Sequence, residues 1–569
     1  MNTLSNILFA SLALTLSACV TESADRQAYI IPAPAELTYT PGITFNLKAT
    51  TPIAYSDTSL SGLAGMLAGD LEARTGGRLK VDDAPSAFRA ASIFLELSDG
   101  KETAGLPRPY GVSPKGGDPS LERYSLTITK DAVRLTAPDS EGLYRAITTL
   151  RQIVGANSLP VRLPALQIYD SPHYAWRGLS LDVCRTFFDV GEVKEVIDIL
   201  SLYKMNVLHL HLTDSEGWRI EIKAYPGLTA TGGNMPNKGR RGGFYTQEEY
   251  AGLVAYAAER FITVVPEIDM PGHTASMLAS YPELKNAVTV APQAAGAMGV
   301  PMVALDPDDA MAMDIVAAVI TELSALTPGA YIHTGGDETF GMPGDKYVRF
   351  VDKANAIVRG AGKRTVGWQE SSRTNIDSTH IIQHWVDFGD IGDMMGEGSS
   401  IASALPPETL KAMVAVFSEA PLDVERALRA GAKIILSPAG HAYLDFKYLE
   451  QSADTGQEAD RARLGMPFYP PSTIEETWNW NPSTYHPMIG EDNIAGIEAA
   501  IWCETIESLS DMEFMLLPRL PGVAERAWSL NPATPWPTYL TTLTHHLPLW
   551  DASNYNYFHP TPTATGRLK

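Results

Sequence analysis

The stretch Tyr331-Ile-His-Thr-Gly-Gly-Asp-Glu338 is a strand-like apolar run that ends in two glycines and two adjacent carboxylates. In a regular strand, neighbouring side chains point to opposite faces. Asp337 and Glu338 can therefore serve one site only where the strand has ended and the backbone turns. Gly335 and Gly336 permit that turn, because glycine has no Cβ to penalise unusual backbone angles. Similar runs lie on both sides: Gly178 to Val183, Val207 to Leu212, Thr263 to Ile268, Thr365 to Trp368, His380 to His384, Lys433 to Leu436 and Gly496 to Ile501. Most are continuously apolar, as strands buried on both faces are. Several precede stretches of helical period, among them Glu192 to Tyr203, Gln247 to Arg260 and Asp309 to Leu326. Roughly eight strand–loop–helix units predict an α/β fold of the (β/α)8 TIM-type barrel class. A doubly wound open sheet is the alternative, because Ser371 to Asp377 is too short to supply a helix after Trp368.

The barrel is expected over 171–550, with a C-terminal tail over 551–569. Ahead of it, 29–170 reads as a small α+β support domain. Tyr124 to Ala137 has the pattern of a hairpin around a Lys-Asp turn. Glu141 to Val154 then has helical period, with Leu143, Tyr144, Ile147, Leu150 and Ile153 on one face.

The first nineteen residues read as a signal. Ile7 to Leu16 is mostly apolar and too short to span a bilayer. It leads into Leu16-Ser-Ala-Cys19, which resembles a bacterial lipoprotein signal with Cys19 as the lipidated residue. No Lys or Arg precedes Arg26, so the positive n-region is the amino terminus alone. An ordinary secretory signal is the alternative. Either reading exports the protein, as a periplasm-facing lipoprotein or as a soluble periplasmic or secreted one. Val20 resembles outer-membrane sorting, and membrane contact is expected only through the lipid.

Over 569 residues the net charge is −22, which argues against nucleic acid or an anionic membrane surface as a partner. The oligomeric state stays open. Besides Cys19, the cysteines are Cys184 and Cys503, which is no disulfide framework.

Barrel enzymes hold their sites at the C-terminal ends of the strands. Those ends carry Asp182, Arg185, Asp214, Glu267, Asp269, His273, Asp337, Glu338, Trp368, Glu370, Trp385, Tyr443, Asp445, Trp502 and Glu504. Carboxylates and tryptophans dominate, with no Gly-rich phosphate loop and no cofactor motif. Tryptophan faces stack on sugar rings, and carboxylates and arginine bind hydroxyl edges, so the mixture points to a carbohydrate site. A lone strand-end Trp is more often packing than ligand contact, but four at strand ends or in long loops are harder to dismiss, and Arg177 has an ordinary ion pair as its alternative. His209-Leu-His211 has the spacing of a metal pair, which leaves a metal-dependent hydrolase as a second reading; it needs further ligands, and His273 and His333, in Pro-Gly and Gly-Gly contexts, read as positioning residues instead.

The motifs Trp176-Arg-Gly, His209-Leu-His-Leu-Thr-Asp214, Val265-Pro-Glu-Ile-Asp-Met-Pro-Gly-His273, His333-Thr-Gly-Gly-Asp-Glu338, Gly367-Trp-Gln-Glu370, Ala442-Tyr-Leu-Asp445 and Trp502-Cys-Glu504 stand in that order along the chain. Together they resemble the β-N-acetylhexosaminidases of glycoside hydrolase family 20, from about Ile30 to Trp528. The resemblance implies an exo-acting, retaining enzyme that needs no cofactor or metal. It would release terminal β-linked N-acetylhexosamine from chitin oligosaccharides or glycans, with the substrate's acetamido oxygen as nucleophile and an oxazolinium intermediate. It implies Glu338 as general acid, Asp337 as the residue that orients the acetamide, and Tyr443 as its hydroxyl partner. Asp214 and His273 match a relay behind the acid. Arg177, Asp445 and Glu504 match hydroxyl contacts, and Trp368, Trp385, Trp480 and Trp502 match the walls of the sugar pocket. The chain departs from the family pattern at Ser215-Glu216, where Asp-Gln is common, and at Cys184-Arg185-Thr186, where Ser-Arg-His is common. Long connections at Leu284 to Ala304 and Val386 to Ala420 are candidates for shaping specificity. A catalytically silent sugar-binding protein is the third reading.

Overall fold

Eight strands pair in parallel, each with the next along the chain, and the last, Ile494–Ile501, pairs with the first, Trp176–Asp182, to close a barrel. The others are Val207–His211, Thr263–Glu267, Tyr331–His333, Arg364–Trp368, Ile381–His384 and Lys433–Leu436. All eight lie where apolar runs were expected. The computed structural model describes residues 27–235, 239–288, 303–386, 406–467, 469–530 and 534–560. The signal segment, Cys19 and parts of both long connections lie outside them.

The barrel helices begin where the sequence supplies caps. Asp189 with Glu192, and Thr246 with Glu249, form reciprocal capping boxes at Val190–Leu202 and Gln247–Ala258. Asp309 caps Ala310–Leu326 through the Met311 N–H. After Trp368 there is only a 3-10 turn, Gln369–Arg373, as the short connection implies. The sheet still closes there, because Val366 to Trp368 pair directly with Ile381 to Gln383. Arg373 ties the turn to the helix Asp423–Arg429 through Asp423, at 2.6 and 2.9 Å.

Alternation along the strands stacks the interior in layers. Trp176, Val207, Val265, Tyr331, Val366, Ile381 and Ile435 form an apolar floor. Two residues further along, His209, Glu267, His333, Trp368, Gln383 and Glu498 form a buried polar layer. The strand ends above it carry the candidate site.

The preceding domain is a six-stranded mixed sheet packed on the helices Ser61–Thr75 and Ser140–Val154. The expected hairpin is there, Tyr124–Ile128 antiparallel to Val133–Ala137. It joins the barrel through buried ion pairs: Lys204 Nζ lies 3.0 Å from Asp170, and Glu122 holds both Arg145 and Arg177. The chain expected to trail as a tail from 551 is packed as far as Phe558, which stacks on Tyr448 at 4.0 Å. Among the described residues, no helix is long and apolar enough to cross a membrane.

Candidate active site

The strand Tyr331–His333 ends before the glycines, and the backbone then turns through φ of +66° at Gly335, +103° at Gly336 and +48° at Glu338. A Cβ on Gly335 would sit 1.7 Å from Asp269 Oδ1, and one on Gly336 2.5 Å from Ser371 Oγ. Both glycines are therefore required by angle and by space. Gly335→Ala is expected to lower Tm and kcat together, with strain of about 1–3 kcal/mol. Thermal melting and steady-state assays of the purified variant check this. The turn brings the adjacent acids to one place: Asp337 Oδ2 and Glu338 Oε2 each lie 3.6 Å from His273 Nε2.

Behind them runs a relay. His273 Nδ1 lies 3.1 Å from Asp214 Oδ1, and Asp214 Oδ2 takes His211 Nε2 and Arg185 Nη2, each at 2.9 Å. Burial opposes charge on His273, but Asp214, Asp269 and Asp337 outweigh it and hold the imidazole well above its usual range. Burial likewise opposes charge on Asp214, and Arg185, His273 and His211 outweigh it and keep the carboxylate ionised. Burial pushes Asp337 up to about 6, with His273 opposing and Glu338 adding. One of two neighbouring carboxyls is thus readily protonated near neutral pH.

Aromatic rings form the walls. Trp385 stacks parallel to Tyr443 at 6.4 Å, and Trp502 stands 6.1 Å from Tyr443 and 5.9 Å from Trp368. Trp368 donates Nε1–H to Glu267 at 2.8 Å, and Trp385 to Glu370 at 3.2 Å. Near these walls, both oxygens of Asp445, Glu504 Oε2, Asp337 Oδ1 and Glu370 Oε1 are buried and have no hydrogen-bond donor among the described residues. Burial, then the neighbouring Glu504, pushes Asp445 well above the carboxylate range. Buried acceptors are costly unless a donor reaches them, so an apolar-walled pocket ringed by them suits a ligand rich in hydroxyls.

Two sequence expectations are corrected. Arg177 does not reach the site: it is the second residue of its strand, at the opposite end of the barrel, where it pairs with Glu122 and donates to backbone carbonyls of Lys204 and Tyr174. The arginine at the site is Arg185, three residues past the strand end, 5.3 Å over the Trp502 ring and beside Asp182, Asp214, Glu216 and Glu504. Its signal was its place among the strand-end residues. Trp480 is also not a wall. It is buried, donates Nε1–H to the Thr477 carbonyl at 3.2 Å and stacks on His441, packed in the core. Arg185→Met is expected to raise KM about tenfold, the worth of one charged hydrogen bond. Arg177→Met is expected to lower Tm and leave KM unchanged.

Of the family departures, Glu216 lies 3.3 Å from Arg185 Nε, and burial pushes it up to about 8. Cys184 and Cys503 are buried and free, each two residues past the end of its strand. Sequence gave no signal for Tyr469, stacked on Phe446 at 4.3 Å beside Tyr443, or for Phe340 and Phe417 beside Trp385.

Both histidines of the alternative metal reading are engaged by carboxylates, and with Glu267, His333, Asp214 and Asp269 they stand in clusters whose ligand atoms lie within 4.8 Å of one another. His209 Nδ1 is 2.8 Å from Glu498 and its Nε2 is 3.0 Å from Glu267; His211 spends its nitrogens on Glu267 and Asp214. Burial opposes their charge, but these carboxylates outweigh it, pushing His209 to about 9 and His211 higher.

Residues 174–531 match the family described as "Glycosyl hydrolase family 20, catalytic domain", and residues 27–171 match its "domain 2". A "Beta-N-acetylhexosaminidase" of Cellulomonas fimi is 36% identical over 94% of this chain and 96% of its own length. The solved GH20 beta-N-acetylhexosaminidase from Streptomyces coelicolor superposes with a TM-score of 0.76 at 32% identity, covering 94% of this chain and 98% of that one. A mutant Streptomyces plicatus beta-hexosaminidase in complex with product (GlcNAc) gives 0.75 at 33% identity, over 93% and 96% of the two chains.

Proposed function

Because the chain belongs to glycosyl hydrolase family 20 and is a glycoside hydrolase of the β-hexosaminidase kind, we propose that it removes single N-acetylhexosamine units from the non-reducing ends of chitin oligosaccharides or glycans, by substrate-assisted catalysis. The observation that carries this is the pairing of Asp337 and Glu338 on one histidine, beside a wall of Trp368, Trp385, Trp502 and Tyr443. A ring of aromatic faces suits the methyl and flat amide of an acetamido group, and the Tyr443 hydroxyl is available to hold its carbonyl.

Glu338 protonates the glycosidic oxygen as the substrate's own carbonyl oxygen attacks the anomeric carbon; the C–O bond breaks and an oxazolinium forms. The ionised Asp337 faces the acetamide nitrogen and offsets its positive charge. Water then opens the ring, with Glu338 taking the proton back. His273 and Asp214 hold charge behind the acid and fix its position. Asp445, Glu504 and Arg185 bind the hydroxyls of the terminal sugar.

Turnover of p-nitrophenyl N-acetyl-β-glucosaminide against the matching β-glucoside tests this. Fast release from the first and none from the second is expected; equal release from both removes the acetamide from the mechanism. Export with a lipid on Cys19 is part of the same reading, and the mass of the N-terminal peptide from membranes checks it.

A further inference from the structure

Glu267 touches no part of the substrate pocket directly, yet both halves of the site end on it. It closes the strand Thr263–Glu267 in the polar layer below the site and is fully buried. Its Oε1 accepts Trp368 Nε1–H at 2.8 Å, on the side of the aromatic walls. Its Oε2 takes His211 Nδ1, whose Nε2 lies 2.9 Å from Asp214 in the relay that leads to His273 and the acid pair. His209 Nε2 stands 3.0 Å from the same Oε2 and carries the chain on to Glu498, which also accepts Trp176 and Gln383. The neighbouring His333 is turned so that its Nδ1 accepts the Gly335 N–H at 3.0 Å, fixing the start of the catalytic turn.

We propose that Glu267 is a positioning residue that couples the two halves of the reaction: one oxygen sets the indole that walls the acetamide, and the other sets the imidazole behind the proton relay. This rests on the substrate-assisted reading above. A carboxylate suits the place because it only accepts, and the Trp368 indole and the His211 imidazole each aim a donor at it, one per oxygen; His333 Nδ1, also 3.0 Å from Oε1, is instead taken up by the Gly335 N–H. An amide at this position would turn an N–H₂ toward either the indole N–H or His211, so one of the two arms must break. Burial opposes ionisation of Glu267, but the protonated His211 and His209 beside it outweigh it and hold the carboxyl well below its usual range, consistent with a permanent acceptor.

The test is Glu267→Gln assayed on two substrates: p-nitrophenyl N-acetyl-β-glucosaminide, whose leaving group needs little protonation, and N,N′-diacetylchitobiose, whose leaving group needs it fully. The expected result is a fall in kcat/KM about tenfold larger for the disaccharide, with weaker binding of N-acetylglucosamine by calorimetry. An equal loss on both substrates with unchanged affinity is mere destabilisation and overturns the proposal. Should the variant not fold, His211→Asn and Trp368→Phe each cut one arm. The first is then expected to act on the disaccharide preferentially and the second on both substrates and on affinity; the same pattern from both overturns the proposal. Wild-type protein that hydrolyses the plain glucoside as fast as the acetamido sugar sinks the substrate-assisted reading instead.

Discussion

Glu338→Gln is expected to lower kcat on diacetylchitobiose by about 10²–10⁴-fold while product affinity stays within a few-fold of wild type. Glutamine keeps the size and the backbone preference of glutamate, so the unusual φ of +48° at this position is no worse served. What it loses is the transferable proton. The position of Glu338, half-open to the pocket and 3.6 Å from His273, makes it the acid that meets the glycosidic oxygen. The loss is expected to shrink for p-nitrophenol, which departs without help. Parallel kcat measurements on the two substrates, with calorimetric titration of N-acetylglucosamine, check this. A kcat on the disaccharide within tenfold of wild type would remove Glu338 from the acid role, and lost sugar binding would point to a misplaced turn instead.

Asp337→Asn is expected to do two opposite things. Turnover falls, by about 10²–10³-fold, because an amide cannot offset the charge that develops on the acetamide nitrogen. Stability rises. Burial lifts the folded-state carboxyl from 3.8 to about 6, so the folded protein holds this proton more tightly than the unfolded chain does. A raised carboxyl favours the fold below the unfolded value and loses that advantage as pH climbs through the folded one. At pH 7 Asp337 is ionised against this preference, at a cost on the order of 2–3 kcal/mol, which asparagine removes. The variant should therefore melt above wild type at pH 7, and the two curves should converge as pH falls below about 4. Melting across that range, beside kcat at pH 7, is the check. A variant that is both slower and less stable would mean that Asp337 supports the turn rather than straining it. The same titration predicts that wild-type activity fades as pH falls through about 6 and Asp337 becomes neutral.

The aspartate is thus placed where folding alone would not choose it, next to a second acid and inside aromatic walls. Such conflict between local stability and arrangement is what a catalytic carboxyl pair looks like energetically. Glu370 shows it too: burial and then Asp337 push it up to about 8, while Trp385 donates its indole N–H to Oε2.

Much of this was legible along the chain because barrel strands are local objects. An apolar run such as Lys433 to Leu436, or Thr263 to Glu267 before a Pro-Gly turn, announces a buried strand whatever its partners. The end of each run then marks the rim of the site, so Asp337, Glu338, Trp368, Trp385, Tyr443, Asp445, Trp502 and Glu504 could be read off in order. The two glycines after His333 carried the turn itself, since no residue with a Cβ fits beside Asp269 or Ser371.

Which end of a strand a residue occupies was harder to read. Arg177 and Arg185 flank the same strand eight positions apart in sequence, and only pairing of Trp176 with Gly496 fixes that Arg177 starts it and faces Glu122 of the other domain. Trp480 sits in a connection, where no periodicity says inward or outward, and packing against His441 decided it. The carboxylate–imidazole layer around Glu267 is the furthest from sequence. His209, Glu267, His333 and Glu498 come from four strands spread over 290 residues, and each alone reads as one polar residue in an apolar run. Strand order and alternation fix that they meet; the charges they hold on one another follow from burial at hydrogen-bond distance, a property of the closed barrel and of no single segment.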